Sequence, residues 1–270
     1  MKNIVLFLYA HLPKSIIYIL GKNKWLKHIR YLILRPNGLP LLTKESIFWN
    51  DEIAIQFEAP IKIALKAKNQ GLENSLLKHT LQTFKDRQDL VILDIGASFG
   101  FLSLIWAKTL ASKGKVYSFE PHPLLFQQLS KNIAYNQLQF ICNPINALVG
   151  DNLLNQNLKL MGYTSNKEFI EGKEMTQEIE MAQITLDHFV TTENLSNINL
   201  IKIDVDGSEM QVLMGMQQAL AQFSPMVIIE TNNPDVITWM SQQGYSYYQI
   251  NGLELSAEPM NIFFVKKIEN

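Results

Sequence analysis

After residue 90 the chain settles into a repeating order: a short apolar run, then a segment carrying an apolar stripe at helical spacing. "LVILDIGA" reads as a buried strand, and "FLSLIWAKTLA" follows as a helix with Leu102, Ile105, Trp106 and Leu110 on one side. "KVYSFEP" is the next strand, "PLLFQQLSKNIAYN" the next helix, and "LQFICNPINALVG" a third strand region. A less regular stretch, 151–185, holds candidate strands such as "EIEMAQITL" and is expected to help shape a substrate pocket. Then come "NLIKIDVDG" as a strand, "SEMQVLMGMQQALAQF" as one helix, "PMVIIETN" as a strand and "PDVITWMSQQG" as a helix. "YSYYQI" and "NIFFVKK" close the chain as strands. Strands alternating with helices form parallel βαβ units with right-handed crossovers. The last two strands are joined only by a loop, so they pair antiparallel. The expected fold is α/β, a doubly wound and mostly parallel sheet ending in an antiparallel hairpin.

Such sheets bind ligands beyond the carboxyl ends of their strands, near the point where strand order reverses. Asp94, Glu120, Asp204 and Glu230 all stand at expected strand ends, which brings four carboxylates to one rim. The loop after the first of these strands has the spacing Gly96-x-x-x-Gly100 rather than the G-x-G-x-x-G of a dinucleotide fold. Its charge points the same way. A carboxylate at Asp94 would repel a pyrophosphate but attract an ammonium or a sulfonium, and S-adenosylmethionine carries both cations and no phosphate. Glu120, 26 residues further on, can accept hydrogen bonds from both ribose hydroxyls, a role open to either cofactor class. The alternative readings are an acid favoured at a helix start for Glu120, and a buried acid capping the following loop for Asp94.

The stretches "LDIGASFGFLSLIWA", "VYSFEPHPLLFQQLSKNIAYN", "ITLDHF", "INLIKIDVDGSEMQVLMGM" and "PMVIIE" together resemble the FkbM family of S-adenosylmethionine-dependent methyltransferases, over roughly residues 70–265. The resemblance implies a Rossmann-like class I methyltransferase with a seven-stranded sheet. It further implies that Asp94, Gly96, Ala97, Ser98, Phe99 and Gly100 surround the methionine part of the cofactor. Glu120 and Pro121 would lie along its ribose, and Glu73 would reach toward its amino group. Asn146 and Ala147, after the third strand, are candidates for the adenine edge, with a simple loop turn as the alternative. The family pattern usually has Asn where Ser98 stands and Glu where Asp206 stands, and the shorter Asp206 reaches less far.

Methyl transfer to oxygen needs alignment of two atoms and removal of a hydroxyl proton. In "IKIDVDGSEMQ", Lys202 and Asp204 share one strand face, while Asp206 and Glu209 follow at the turn into a helix. These four are the candidate catalytic residues. Asp204, Asp206 or Glu209 serves as base, or they bind a divalent cation together with Glu230 or Asn232; a metal is weighed here but not expected. His122 and His188 titrate near neutrality, yet their positions suit structural or exposed roles.

The resemblance implies an O-methyltransferase acting on a sugar, a polysaccharide building block or a related small metabolite. The alternatives are a catalytically silent S-adenosylmethionine-binding scaffold on a membrane complex, and a nicotinamide-dependent oxidoreductase, which Asp94 and the glycine spacing disfavour. Charge decides against nucleic acid. Residues 1–44 hold eight basic residues and no acid, leaving 16 basic against 25 acidic residues in 45–270, a balance of −9 and the opposite of a nucleic-acid footprint. The basic segment is interrupted by His11, Pro13 and Lys14, so it is expected to pack as an extension or lie on an anionic membrane face rather than span a membrane. The domain reading is therefore an extension with a helix and a short hairpin over 1–69, then a methyltransferase domain over 70–270. One cysteine, Cys142, excludes an intramolecular disulfide and fits a reducing, cytoplasmic setting.

Overall fold

In the computed structural model, residues 41–69, 71–160, 177–250 and 260–266 are described. The basic segment proposed for membrane contact lies outside them except for residues 41–44, as does 161–176 of the irregular stretch. Among the described residues no helix is long and apolar enough to cross a membrane.

The alternating "SIFWNDEIAIQF" forms the expected hairpin, β1 (Leu42–Trp49) and β2 (Ile53–Pro60), in register from Trp49↔Ile53 to Leu42↔Pro60. Asn50 and Asp51 take positive φ at its tip, a conformation these two residue types tolerate. Ile47, Trp49, Ile55, Phe57 and Ala59 point into the core, joined by Ala64 and Ala67 of α1 (Ile61–Lys68). That core is continuous with the main sheet's: all seven share one cluster with Ile92, Leu104 and Leu200, and Phe57 meets Phe101 edge-on at 5.3 Å. The outer edge of β2 is covered by side chains. Asn132 accepts from Glu58 N and donates to Glu58 O, and Asn136 does the same for Gln56. Two asparagines thus satisfy backbone groups that a neighbouring strand would otherwise pair.

Beyond α2 (Asn74–Thr83), the sheet begins with β3 (Val91–Ile95), α3 (Phe101–Lys108), β4 (Lys115–Phe119), α4 (Pro123–Tyr135) and β5 (Cys142–Ile145). A side excursion follows, containing β6 (Leu148–Val149), β7 (Gln156–Leu160), β8 (Gln177–Met181), β9 (Gln183–Ile184) and α5 (Leu186–Thr192). The chain returns through β10 (Leu200–Ile203), α6 (Glu209–Met214), α7 (Gln217–Phe223), β11 (Met226–Thr231), α8 (Pro234–Gln242), β12 (Tyr245–Tyr248) and β13 (Met260–Lys266). Among the described residues seven strands form one sheet in the order β12-β13-β11-β10-β3-β4-β5. The five from β5 to β11 run parallel, and β13 is antiparallel to both its neighbours. Strand order reverses between β3 and β10, which places the ligand crevice there.

Both faces of the sheet are covered, so its central strands are mostly apolar, with Asp94, Ser118 and Lys202 as buried exceptions. One face buries Ile92, Val116, Leu200, Ile228 and Phe263, and the other Leu93, Phe119, Ile201, Val227 and Phe264.

Three details differ from the sequence reading. The third strand region divides: β5 ends at Ile145, and β6 leaves the sheet to pair parallel with β9. "EIEMAQITL" likewise splits into β8 and β9 around Ala182. The helix expected over 208–223 breaks at Gly215 into α6 and α7, and a side chain at Gly215 would overlap the carbonyl oxygen of Gly150. That close backbone approach joins residues 65 apart in sequence and requires glycine at 215.

Candidate functional site

Backbone geometry builds the rim first. Gly96 has φ +84°, and a Cβ there would overlap the carbonyl oxygen of Asp204, so only glycine lets the loop after β3 lie against the end of β10. The amides of Gly96 and Ala97 both donate to Phe119 O, at 3.0 and 2.9 Å, which ties the same loop to the end of β4. Ser98 adopts φ +52° and directs its amide to Glu120 Oε2 at 2.8 Å. Phe99 is buried, with its carbonyl accepting from Asn132 Nδ2, and Gly100 caps α3. Residues 96–100 are therefore held from three sides.

Two carboxylates back this loop. Asp94 is buried and accepts a short hydrogen bond from Ser103 Oγ, whose oxygen in turn accepts from Ser118 Oγ at 2.8 Å. Burial pushes its pKa up to about 6, against the opposing pulls of the Ser103 hydroxyl and the Lys202 charge. Glu120 accepts from the amides of Ser98 and His122 and is likewise buried, which raises its pKa to about 7. Two amide bonds leave further lone pairs on that carboxylate for a ligand hydroxyl. Asn146 donates to the carbonyls of Glu120 and Pro121, so its amide nitrogen holds the loop, and Ala147 beside it is buried.

The third element is the end of β10. Lys202 is the register partner of Asp94 on the same sheet face and is fully buried. Its Nζ lies 3.4 Å from Asp204 Oδ2 and 4.0 Å from Glu230 Oε2. Burial, then the charge of Asp204, lifts Glu230 to about 7, with Lys202 pulling the other way. A hydrogen bond with Asp204 adds to that upward shift. Glu73, in a left-handed conformation at the N-cap of α2, adds its charge to both Asp94 and Glu230 and so faces the cluster.

Of the four candidate catalytic residues, Lys202 and Asp204 come together. Asp206 sits at φ +49° on an exposed turn, and Glu209 is buried with Oε1 accepting from Gly207 N at 2.7 Å, a bond that closes the same turn. Glu230, outside those four, completes the group around Lys202. Its signal in the sequence is an acid closing the apolar run "VIIE"; what sequence does not supply is that β11 lies directly against β10. His122 caps α4 by accepting from Leu124 N, and His188 is exposed on α5. Among the described residues no group of three or more His, Cys, Asp or Glu is arranged to hold a metal ion.

Residues 94–247 match the methyltransferase FkbM domain family. The methyltransferase sdnD of Sordaria araneosa is 26% identical over 176 residues, which cover 54% of this chain and 68% of that protein. The hexuronic acid methyltransferase AglP of Haloferax volcanii is 27% identical over 145 residues, 53% of this chain and 56% of its own length. Among solved structures, methyltransferase FkbM from Methylobacillus flagellatus KT superposes with a TM-score of 0.50 at 15% identity, covering 76% of this chain and 52% of that one. At that identity the likeness shows the fold, a Rossmann-like methyltransferase sheet.

Proposed function

The chain belongs to the FkbM methyltransferase family, and from that premise we propose that it transfers a methyl group from S-adenosylmethionine to a hydroxyl oxygen of a sugar, a polysaccharide building block or a related small metabolite. The carrying observation is the carboxylate rim, with Asp94 and Glu120 buried behind a loop that backbone contacts press against β10. These residues fit the cofactor: Glu120 keeps acceptor capacity for a ribose diol, while Asp94 and Glu73 favour a cationic methionine end and oppose a pyrophosphate. When bound, S-adenosylmethionine supplies a methyl group on a positively charged sulfur. A hexuronic acid methyltransferase among the relatives supports a sugar as acceptor class.

The protein's own part in the reaction falls to Lys202, Asp204 and Glu230. Methyl transfer to an acceptor hydroxyl would require that hydroxyl to give up its proton. Glu230, titrating near neutrality and half-exposed beside Asp204, accepts it. Lys202 holds the two carboxylates together, and its charge keeps the Glu230 pKa from climbing further. Proton removal thus rests on a base poised close to the working pH.

The test combines calorimetry with labelled methyl transfer to hydroxylated sugars and lipids. Glu230→Gln should keep the cofactor Kd while kcat falls about 100-fold or more, the usual contribution of a positioned base. Preference for NAD over S-adenosylmethionine would overturn the cofactor reading, and an unchanged kcat in Glu230→Gln would overturn the base.

A further inference from the structure

Asp94 is the centre of a buried polar row. Its register partners are Lys202 on β10 and Ser118 on β4, and none of the three is more than 2% exposed. Ser103, on α3, is fully buried beside them. Hydroxyls join these groups in one line: Ser103 Oγ donates to Asp94 Oδ2, Ser118 Oγ donates to Ser103 Oγ at 2.8 Å, and Ser118 Oγ lies 3.4 Å from Cys142 Sγ of β5. A serine hydroxyl carries one hydrogen, so Ser118, having given its own to Ser103, accepts from the thiol. Burial pushes the pKa of that thiol up to about 12, which keeps its hydrogen in place to donate. Every hydrogen in the chain therefore points toward the carboxylate. Run in reverse, the chain would end on sulfur, a weak acceptor, and donors aligned one behind another strengthen each other.

A buried carboxylate next to a buried lysine would ordinarily pair with it. Here Lys202 Nζ is directed instead to Asp204 and Glu230, at 3.4 and 4.0 Å. The hydroxyl chain satisfies Asp94 in its place. From this geometry we infer that Ser103 and Ser118 are positioning residues for the methyl donor: they hold the Asp94 carboxylate as an anion for the cationic methionine end of S-adenosylmethionine and leave Lys202 to the reaction centre. The inference rests on the methyl-transfer reading and extends it to side chains with no surface of their own. Both serines are wholly buried, so they act on the cofactor only through Asp94. Cys142 supplies the last donor of the chain. The charged groups that act on Asp94 are Lys202 and Asp204 from β10 and its end, Glu73 from the start of α2, and Glu120 from the end of β4. Replacing either serine leaves all four in place.

The test is the pH dependence of binding, measured by calorimetry on the full chain with two probes. S-adenosylmethionine carries the cations, whereas 5′-methylthioadenosine keeps the adenosine and lacks both of them. The series runs from about pH 5 to 7.5, below the titration of an α-amino group. In the native chain S-adenosylmethionine should weaken as pH falls through about 6, where Asp94 takes up its proton. Removing a donor from the charged form of a carboxyl makes it protonate at higher pH. Ser103→Ala should therefore raise that breakpoint by about one pH unit, and weaken S-adenosylmethionine about fivefold at pH 6. Ser118→Ala, one bond further away, should move the breakpoint about half as far, and Cys142→Ala least of all. The Kd of 5′-methylthioadenosine should change less than about twofold in each variant, which shows the site still folded, because this probe offers Asp94 no charge to attract. An unmoved breakpoint in either serine variant, or equal weakening of the two probes, would overturn the inference and leave S-adenosylmethionine as the cofactor. No binding of S-adenosylmethionine by the native chain would overturn the methyl-transfer reading and the inference together.

Discussion

Lys202 and Asp94 are register partners on the adjacent parallel strands β10 and β3, and they are 1% and 2% exposed. A buried cation thus faces a buried carboxylate, with Asp204 and Glu230 completing its surroundings. Its charge lowers the pKa of both Asp94 and Glu230. Lys202→Met should leave those acids without compensation, at a cost of about 3 kcal/mol in stability. The acid limb of the kcat/KM profile should also move to higher pH, by roughly one unit. Denaturant melts and a pH series check the two effects, and an unmoved limb would remove Lys202 from control of the base.

The rim acids invert the usual dependence of stability on pH. Asp94 rises from 3.8 to about 6, and Glu120 and Glu230 rise from 4.5 to about 7. A carboxyl whose folded pKa stands above its unfolded value adds stability below the unfolded value, and that stability is lost as pH rises through the folded one. For these three groups the loss falls between about pH 4 and 7. Asp94→Asn should therefore gain in Tm relative to the native chain as pH rises from about 4 to 7, because the variant never buries the charge. Thermal melts across this range measure it. A difference that stays flat with pH would show that Asp94 titrates as an ordinary exposed acid.

Gly96→Ala should be among the more damaging single-methyl additions in the protein. The new Cβ would overlap Asp204 O, and φ +84° is strained for any residue with a side chain. We expect a loss of about 2 kcal/mol or more in urea unfolding, with cofactor affinity falling in the fraction that remains folded. Native stability and affinity in this variant would show that the loop does not need its contact with β10.

Much of this architecture is legible in the sequence because it depends on local periodicity. Strand–helix alternation shows through the spacing of apolar residues, and an acid closing each apolar run is enough to assign Asp94, Glu120, Asp204 and Glu230 to one rim. Lys202 and Asp204 share a face by alternation along a single strand. Lateral neighbours are different, because they depend on which strand lies beside which. Glu230 joins Lys202 only because β11 is parallel to β10, and Asn261 meets Glu230 only because β13 is inserted between β11 and β12. Asn132 secures β2 and Phe99 from positions 74 and 33 residues away. Gly215 lies against the backbone of Gly150, a contact that no window of sequence reveals. Each of these is a meeting of distant backbones, invisible to local pattern.

The insertion of β13 also orders events in time. Strand β12 is made earlier on the ribosome, yet its place in the sheet is separated from β11 by a strand made later. Until residues 260–266 emerge, β11 has an open edge and β12 has nowhere to attach. The edge strand β12 is thus held in the sheet only through a strand that follows it in the chain.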